Sequence, residues 1–159
     1  LMLFKLFTAI NKIRNFRYDI YQGKLIEWEK IVPTFSSFSQ KSKLFSTLYA
    51  EPAGNYLDFN RRYIKTAEKY ADAGSLLPQG ILPPNVFNVS CIPWVHFEHF
   101  SSNFRSNDNR IVKMISLGKY QEIDGKCMMP LTLQVSHAIV DGYHAALFFE
   151  ELQKELLLP

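Results

Sequence analysis

Residues 131–152 read LTLQVSHAIVDGYHAALFFEEL, and this stretch sets the fold class that the sequence predicts. From Leu131 to Ser136 apolar and polar side chains alternate, which is the period of a half-buried β-strand. After Asp141-Gly142 the apolar residues recur at helical spacing, with charged residues on the other side. A strand that leads directly into an amphipathic helix indicates a sheet with helices packed on it.

The rest of the chain supplies more elements of both kinds. Apolar residues at intervals of three and four predict a first helix that ends near Asn15. Gln22-Gly23-Lys24 separates two short strand candidates, as in a β-hairpin. Further strands are predicted over residues 31–38, 86–91, 111–117 and 128–136, with Asp124-Gly125 turning the last two into a long hairpin, and a second helix over 56–73. We therefore expect residues 1–159 to form one α+β domain, with helices on a mixed, largely antiparallel sheet.

Composition excludes several classes of protein. With 47% hydrophobic residues in 159, the chain can bury a core, which a disordered chain cannot. A net charge of +3 is too weak and dispersed to predict nucleic-acid binding. The apolar start is interrupted by Lys5, so neither a membrane span nor a signal peptide is predicted. Cys91 and Cys127 are interpreted as free, buried small residues in a cytoplasmic protein.

His137 is the first candidate for chemistry. An imidazole at the end of a strand can take a proton from a hydroxyl group near neutral pH. The pattern His-x-x-x-Asp-Gly is short, however, and Asp141 could simply cap the helix that follows. On these residues alone, a structural histidine remains the more common interpretation.

Ser90 is the second candidate, in the segment Asn88-Val89-Ser90-Cys91-Ile92-Pro93-Trp94. No G-x-S-x-G elbow surrounds it, so a hydrolase nucleophile has little support. Its hydroxyl could instead donate a hydrogen bond to an oxyanion, provided that it faces a base such as His137. A strand serine that bonds to backbone is the alternative. His96 and His99 lack the carboxylate or thiolate partners of a metal site, so no metal is predicted.

Taken together, these blocks resemble one family. The Ser90 block, Gly118-Lys119-Tyr120 and the segment from Gln134 to His144 occur in the order typical of chloramphenicol acetyltransferases. The resemblance runs from the first helix to the last, and includes Phe45-Ser46-Thr47-Leu48 and Pro78-Gln79-Gly80. It implies a two-layer sandwich fold, and a cytoplasmic homotrimer that transfers acetyl from acetyl-CoA to a hydroxyl group of chloramphenicol.

The resemblance also implies a role for each matching position. His137 matches the general base, Ser90 the hydroxyl that stabilises the oxyanion, and Asp141 a supporting aspartate. The implied acceptor-binding positions are Ser116, Phe45 and Leu77, and the implied coenzyme A positions are Trp94, Lys119 and Tyr120. In the family, further residues precede the first helix and include an arginine expected to pair with Asp141. We therefore expect the domain to be incomplete at its N-terminus.

Three hypotheses follow for the function. The leading one is chloramphenicol O-acetyltransfer with histidine as base. Leu77, Ser102 and Ser136 depart from the residues typical of the family, which motivates a second: a CoA-dependent acyltransferase acting on another hydroxyl or thiol acceptor. The third is a noncatalytic trimeric binding scaffold. All three predict a small-molecule acceptor or ligand, and neither nucleic acid nor membrane as partner.

Overall fold

A computed structural model describes residues 1–101 and 111–158. Helix α1 covers Met2–Lys12, and a 3-10 turn covers Arg14–Arg17. The helix predicted to reach Asn15 is therefore shorter, because Ile13 has extended backbone angles and separates the two segments. Leu6 and Ile10 are buried on the inner side of α1, as their spacing predicts.

The predicted first hairpin is confirmed. Strand β1 (Tyr18–Tyr21) pairs antiparallel with β2 (Lys24–Glu27). The two residues between them, Gln22 and Gly23, have φ of 51° and 75°. Positive φ at both positions is what a type I′ turn requires, and glycine adopts it without a steric cost.

Within the described residues, five strands form the main sheet, in the order β4-β3-β5-β6-β9. They are β3 (Val32–Phe38), β4 (Phe45–Tyr49), β5 (Val86–Cys91), β6 (Lys113–Leu117) and β9 (Leu131–Val135). The three central strands are parallel to one another, and both edge strands run antiparallel to their neighbours. Strand β4 was not expected. It has only five residues, and its strongly apolar ones, Phe45 and Leu48, do not follow the alternation that predicts a strand.

The predicted long hairpin is correct in its pairing and wrong in its turn. β6 and β9 do pair antiparallel, but Asp124-Gly125 closes a separate hairpin of β7 (Gln121–Ile123) and β8 (Lys126–Met128). Pro130 lies between β8 and β9. Proline has no backbone N–H to donate to a ladder, and Pro130 accordingly marks the break that divides the predicted strand 128–136 in two.

Helices α2 (Tyr56–Lys69) and α3 (Gly142–Leu157) join α1 on one face of the sheet. The main core places the helix side chains Leu6, Ile10 and Phe148 against Phe87 and Ile115 of the sheet. A second cluster joins Phe59 of α2 to Phe35 and Leu48. The expected α+β class, with a mixed and largely antiparallel sheet, is confirmed.

Among the described residues, every helix is too short or too polar to cross a membrane.

Candidate functional site

A row of polar side chains crosses the sheet on the face away from the helices. Ser90 of β5 is in register with Ser116 of β6, which is in register with Thr132 of β9. Successive side chains of a strand point to opposite faces, so these three residues lie opposite the core residues Val89 and Ile115. Ser90 is half-buried and Ser116 is buried. The sheet thus presents adjacent hydroxyl groups near the carboxyl ends of β5 and β6.

Aromatic side chains gather at the same end of the sheet. Phe38 ends β3 and lies opposite Phe45, the first residue of β4, with ring centroids 4.8 Å apart. Trp94, on the turn after β5, meets Phe38 edge-on at 5.5 Å and Phe45 at 6.3 Å. Phe45 and Trp94 are 44% and 58% exposed, so the cluster is open to a flat apolar ligand.

Gly118 brings the segment after β6 into tight contact with its neighbours. A Cβ atom there would lie 2.7 Å from Pro130 Cγ and 2.8 Å from Phe97 Cε1, so only glycine fits. The next residue, Lys119, donates its backbone N–H to Val95 O at 2.7 Å. Lys119 and Tyr120 are exposed beside this contact. A cation and an aromatic ring therefore stand next to the turn that carries Trp94.

Leu77 lies beside β4, the edge strand of the sheet next to the aromatic cluster. The carbonyl of the preceding residue, Leu76, accepts a hydrogen bond from Thr47 N on β4. Leu77 itself is 41% exposed. The structure thus places Leu77 along the edge strand that begins at Phe45. Ser102 lies outside the described residues.

His137 occupies a turn beyond the end of β9. Ser136 O accepts the backbone N–H groups of Ile139 and Val140, both at 3.2 Å, which closes the turn around the histidine. His137 Nδ1 lies 3.2 Å from Val140 O. A carbonyl oxygen can only accept, so this contact requires the proton on Nδ1 and leaves the lone pair on Nε2. The ring is exposed, and in the neutral tautomer that this contact favours, Nε2 carries the lone pair.

Asp141 begins helix α3 as its N-cap residue. Its carboxylate accepts the backbone N–H of His144 at 3.2 Å and lies 2.7 Å from His144 Nδ1. The hydrogen bond from that backbone N–H is the main reason why the pKa of Asp141 lies below its usual range. Because folding lowers this pKa, the stabilisation is present above about pH 4 and is lost as the pH falls through the folded value.

The sequence left the partner of Asp141 open, and within the described chain that partner is His144. A carboxylate followed three residues later by a side chain that can bond back is a recognisable capping pattern. The three-residue spacing of Asp141 and His144 could therefore have predicted this contact from the sequence.

Ser90 and His137 lie at opposite ends of the sheet. Ser90 is level with Ser116, whereas Ser136 N bonds to Val112 O, at the other end of the same strand. From Ser116 to Val112 the chain advances about 13 Å, and β5 and β9 are about 10 Å apart across β6. This separation exceeds the combined reach of the two side chains. One copy of the chain does not bring the candidate base and the candidate oxyanion donor together.

Two polar contacts near His137 were not expected from the sequence. Lys113 Nζ and Asp19 Oδ2 form a buried ion pair at 2.9 Å, and burial lowers the pKa of Lys113. Asn15 Nδ2 donates to Ile139 O at 2.8 Å. Each bond joins residues more than ninety positions apart, which local sequence patterns do not reveal.

The interpretation of the cysteines as buried residues is wrong, since Cys91 and Cys127 are free but exposed. Cys127 lies in the short hairpin strand β8, whose three residues are all exposed. Cys91 borders a cavity of about 260 Å³ between α1, α2 and the sheet, and partial burial there raises the pKa of its thiol. Leu117 borders the same cavity. Because Ser90 and Ser116 point to the other face, this cavity is separate from the polar row.

No cluster of metal-ligand side chains occurs in the described parts of the chain.

The sequence comparisons agree on one family. The family profile described as chloramphenicol acetyltransferase matches residues 1–153. Chloramphenicol acetyltransferase 3 of Escherichia coli is 33% identical over 153 residues, which cover 96% of this chain and 72% of the relative. Chloramphenicol acetyltransferase 2 of Haemophilus influenzae is 32% identical over 152 residues, covering 96% and 71% of the two chains.

Solved structures share the fold. A chloramphenicol acetyltransferase superposes with a TM-score of 0.77 at 20% identity, covering 98% of this chain and 75% of that one. The dihydrolipoamide acetyltransferase of Azotobacter vinelandii gives 0.70 at 20% identity, with 98% and 66% covered. Sequence identities of 20% show the fold alone, whereas the family profile and the relatives with 32–33% identity show membership of the family. The chain therefore belongs to the chloramphenicol acetyltransferase family, and is an acetyl-CoA-dependent acyltransferase.

Proposed function

We propose that the protein acetylates a hydroxyl group of chloramphenicol, with His137 as the general base. The observation that carries this proposal is the contact of His137 Nδ1 with Val140 O, in a chain of this family. That contact leaves Nε2 free to accept the proton of an acceptor hydroxyl group. General-base assistance of this kind contributes about 10² to 10⁴ in rate.

Ser90 is the residue proposed to stabilise developing negative charge. Acetyl-CoA supplies the acetyl group as a thioester, whose carbonyl oxygen becomes more negative when the acceptor oxygen attacks. The Ser90 hydroxyl group donates a hydrogen bond to that oxygen, a contribution of about 10² to 10³ in rate. Ser116, in register beside Ser90, offers a second hydroxyl group for the acceptor.

The aromatic cluster and the cation beside it suit the two substrates. Phe45 and Leu77 lie on or beside strand β4 and offer apolar surface to an acceptor ring. Trp94, Tyr120 and Lys119 are exposed and close to one another in the fold, and they suit the adenine ring and phosphates of coenzyme A. Asp141 supports the His137 turn as the N-cap of α3.

We further propose that the complete site forms between subunits of a homotrimer. Ser90 and His137 are too far apart in one chain to act on the same molecule, whereas a second copy can bring its His137 to the polar row. In a closed ring of three copies, each interface would repeat the same pairing. The free thiols support a cytoplasmic location.

The test is acetylation of chloramphenicol by the purified protein with acetyl-CoA. The reaction is measured through the free coenzyme A thiol that it releases. His137→Ala should lower kcat by at least a hundredfold, because it removes the imidazole that is proposed to accept the proton. His99→Ala is the matched control, since His99 is also exposed but lies far along the chain from this turn. Full activity in His137→Ala would disprove the mechanism, and saturable acetyl-CoA binding without turnover in the wild type would favour a scaffold.

A second candidate function is acyl transfer to a different hydroxyl or thiol acceptor. It is favoured by Leu77, an aliphatic side chain at a position where the family resemblance implies an aromatic acceptor contact. A panel of acceptors with acetyl-CoA separates the two functions. A kcat/KM for another acceptor more than tenfold above that for chloramphenicol would favour this alternative.

A further inference from the structure

We infer that Asn15 is a positioning residue for His137. It holds the carbonyl of Ile139, and thereby fixes the next carbonyl, Val140 O, which orients the imidazole. This inference rests on the proposed role of His137. Asn15 lies in the 3-10 turn between α1 and β1, far from His137 in sequence. Its side-chain Nδ2 donates to Ile139 O at 2.8 Å, within the turn that carries His137.

The turn has few degrees of freedom once this bond is made. Ile139 O belongs to the peptide plane that ends at the Cα of Val140. Val140 is only 2% exposed, and its side chain packs in the main core. With the carbonyl held by Asn15 and the side chain held by the core, the orientation of Val140 is fixed. Val140 O is therefore directed at His137 Nδ1.

Loss of the Asn15 bond would release Ile139 O and thereby loosen the next carbonyl, Val140 O, which selects the tautomer. Without a fixed acceptor at Val140 O, the proton on the His137 ring can occupy either nitrogen. When it occupies Nε2, the ring has no lone pair at the exposed position and cannot act there as a base. Asn15 therefore controls what fraction of His137 is competent, and it need not touch any substrate.

The same segment braces the turn from a second side. Asp19, four residues after Asn15, holds Lys113 in the buried ion pair, and the neighbouring Val112 O accepts the N–H of Ser136. The segment from Asn15 to Asp19 thus reaches both the strand end before His137 and the turn that carries it. We base the test on Asn15, because its bond reaches the turn directly.

The experiment compares Asn15→Ala with Asn85→Ala. Asn85 also donates its side-chain amide to a backbone carbonyl at 2.8 Å, but that carbonyl belongs to Lys30 and not to the His137 turn. We expect Asn15→Ala to lower kcat about tenfold to a hundredfold with little change in either KM. Asn85→Ala should leave kcat within about twofold of the wild type.

A second measurement reports on the ring without turnover. In protein labelled with ¹⁵N-histidine, NMR shifts distinguish a proton on Nδ1 from one on Nε2. We expect His137 to carry the proton on Nδ1 in the wild type and in Asn85→Ala, and to become a mixture in Asn15→Ala. If Asn15→Ala does not fold, Asn15→Asp keeps the shape of the side chain and removes the donor.

The kcat values and the tautomer measurement together decide whether Asn15 positions His137. Equal losses of kcat in the two variants, no loss in Asn15→Ala, or a loss with unchanged tautomer would overturn the inference. Full activity of His137→Ala would instead overturn the proposed base. In that case the tautomer measurement alone would still decide whether Asn15 orients the ring.

Discussion

The two ends of the sheet differ in how they build a functional surface. At the Ser90 end, separate strands and turns bring hydroxyl groups, aromatic rings and a lysine side by side, and most of the side chains face outward. At the His137 end, several hydrogen bonds hold one short turn, and one of them joins the imidazole ring to Val140 O. The first end is suited to binding, and the second to holding one reactive group. Within one chain the two ends stay apart, and the proposed site therefore needs a second copy to bring them together.

The strongest test of this difference is complementation between two inactive variants. Ser90→Ala and His137→Ala homotrimers should each lose most of their activity. If the chains are mixed, unfolded and refolded together, some interfaces will pair an intact Ser90 with an intact His137. Random assembly of trimers would restore about a quarter of the wild-type sites.

Two controls accompany the mixture. Each variant refolded alone should stay inactive, which excludes an effect of refolding. A mixture with no more activity than its components would contradict a site shared between subunits and would place both groups in one chain.

Lys113→Met is expected to weaken the His137 end by removing one half of the buried ion pair. Asp19 would remain buried and charged without its partner, and breaking such a pair costs about 3–5 kcal/mol of unfolding free energy. Denaturant unfolding measures the change. The double variant Asp19→Leu/Lys113→Met removes both charges and should recover most of the loss.

If the double variant were as unstable as the sum of its two single variants, the two side chains would not be coupled. The ion pair would then have no part in holding the strand end that precedes His137.

Gly118→Ala tests the Ser90 end, with a smaller effect. The added methyl group would meet Pro130 and Phe97 at less than 3.0 Å, and overpacking of this kind costs about 1–3 kcal/mol. Displacement of the next residue, Lys119, should raise the KM for acetyl-CoA while kcat changes less. Steady-state kinetics and a melting curve measure the two effects.

Gly142→Ala is the matched control, because a Cβ atom there would meet nothing within 4 Å. An unchanged KM for acetyl-CoA in Gly118→Ala would contradict a role for the Lys119 segment in binding.

The sequence predicted the parts of the molecule that depend on local pattern. Alternation and helical spacing located the first hairpin, strand β5 and helix α3, whose bounds differ little from the predicted ones. Family resemblance identified Ser90 and His137 as candidates. Periodicity is a property of neighbouring residues, so it carries information about elements and about little else.

What the sequence did not predict depends on contacts between distant residues. The distance between Ser90 and His137 follows from strand order and direction, which periodicity does not contain. The bonds from Asn15 and Asp19 also form only after α1, β6 and β9 have come together. Cys91 was misjudged for the same reason, since its exposure depends on a cavity formed by two helices and the sheet.

The two tryptophans give the protein an optical readout of one end. Trp94 is exposed within the aromatic cluster, whereas the indole nitrogen of Trp28 is buried near the first hairpin, beside Tyr21. A ligand that covers the cluster would move the emission of Trp94 toward shorter wavelength and leave that of Trp28 unchanged. Occupancy of the Ser90 end can therefore be followed by intrinsic fluorescence, in a protein that carries no added label.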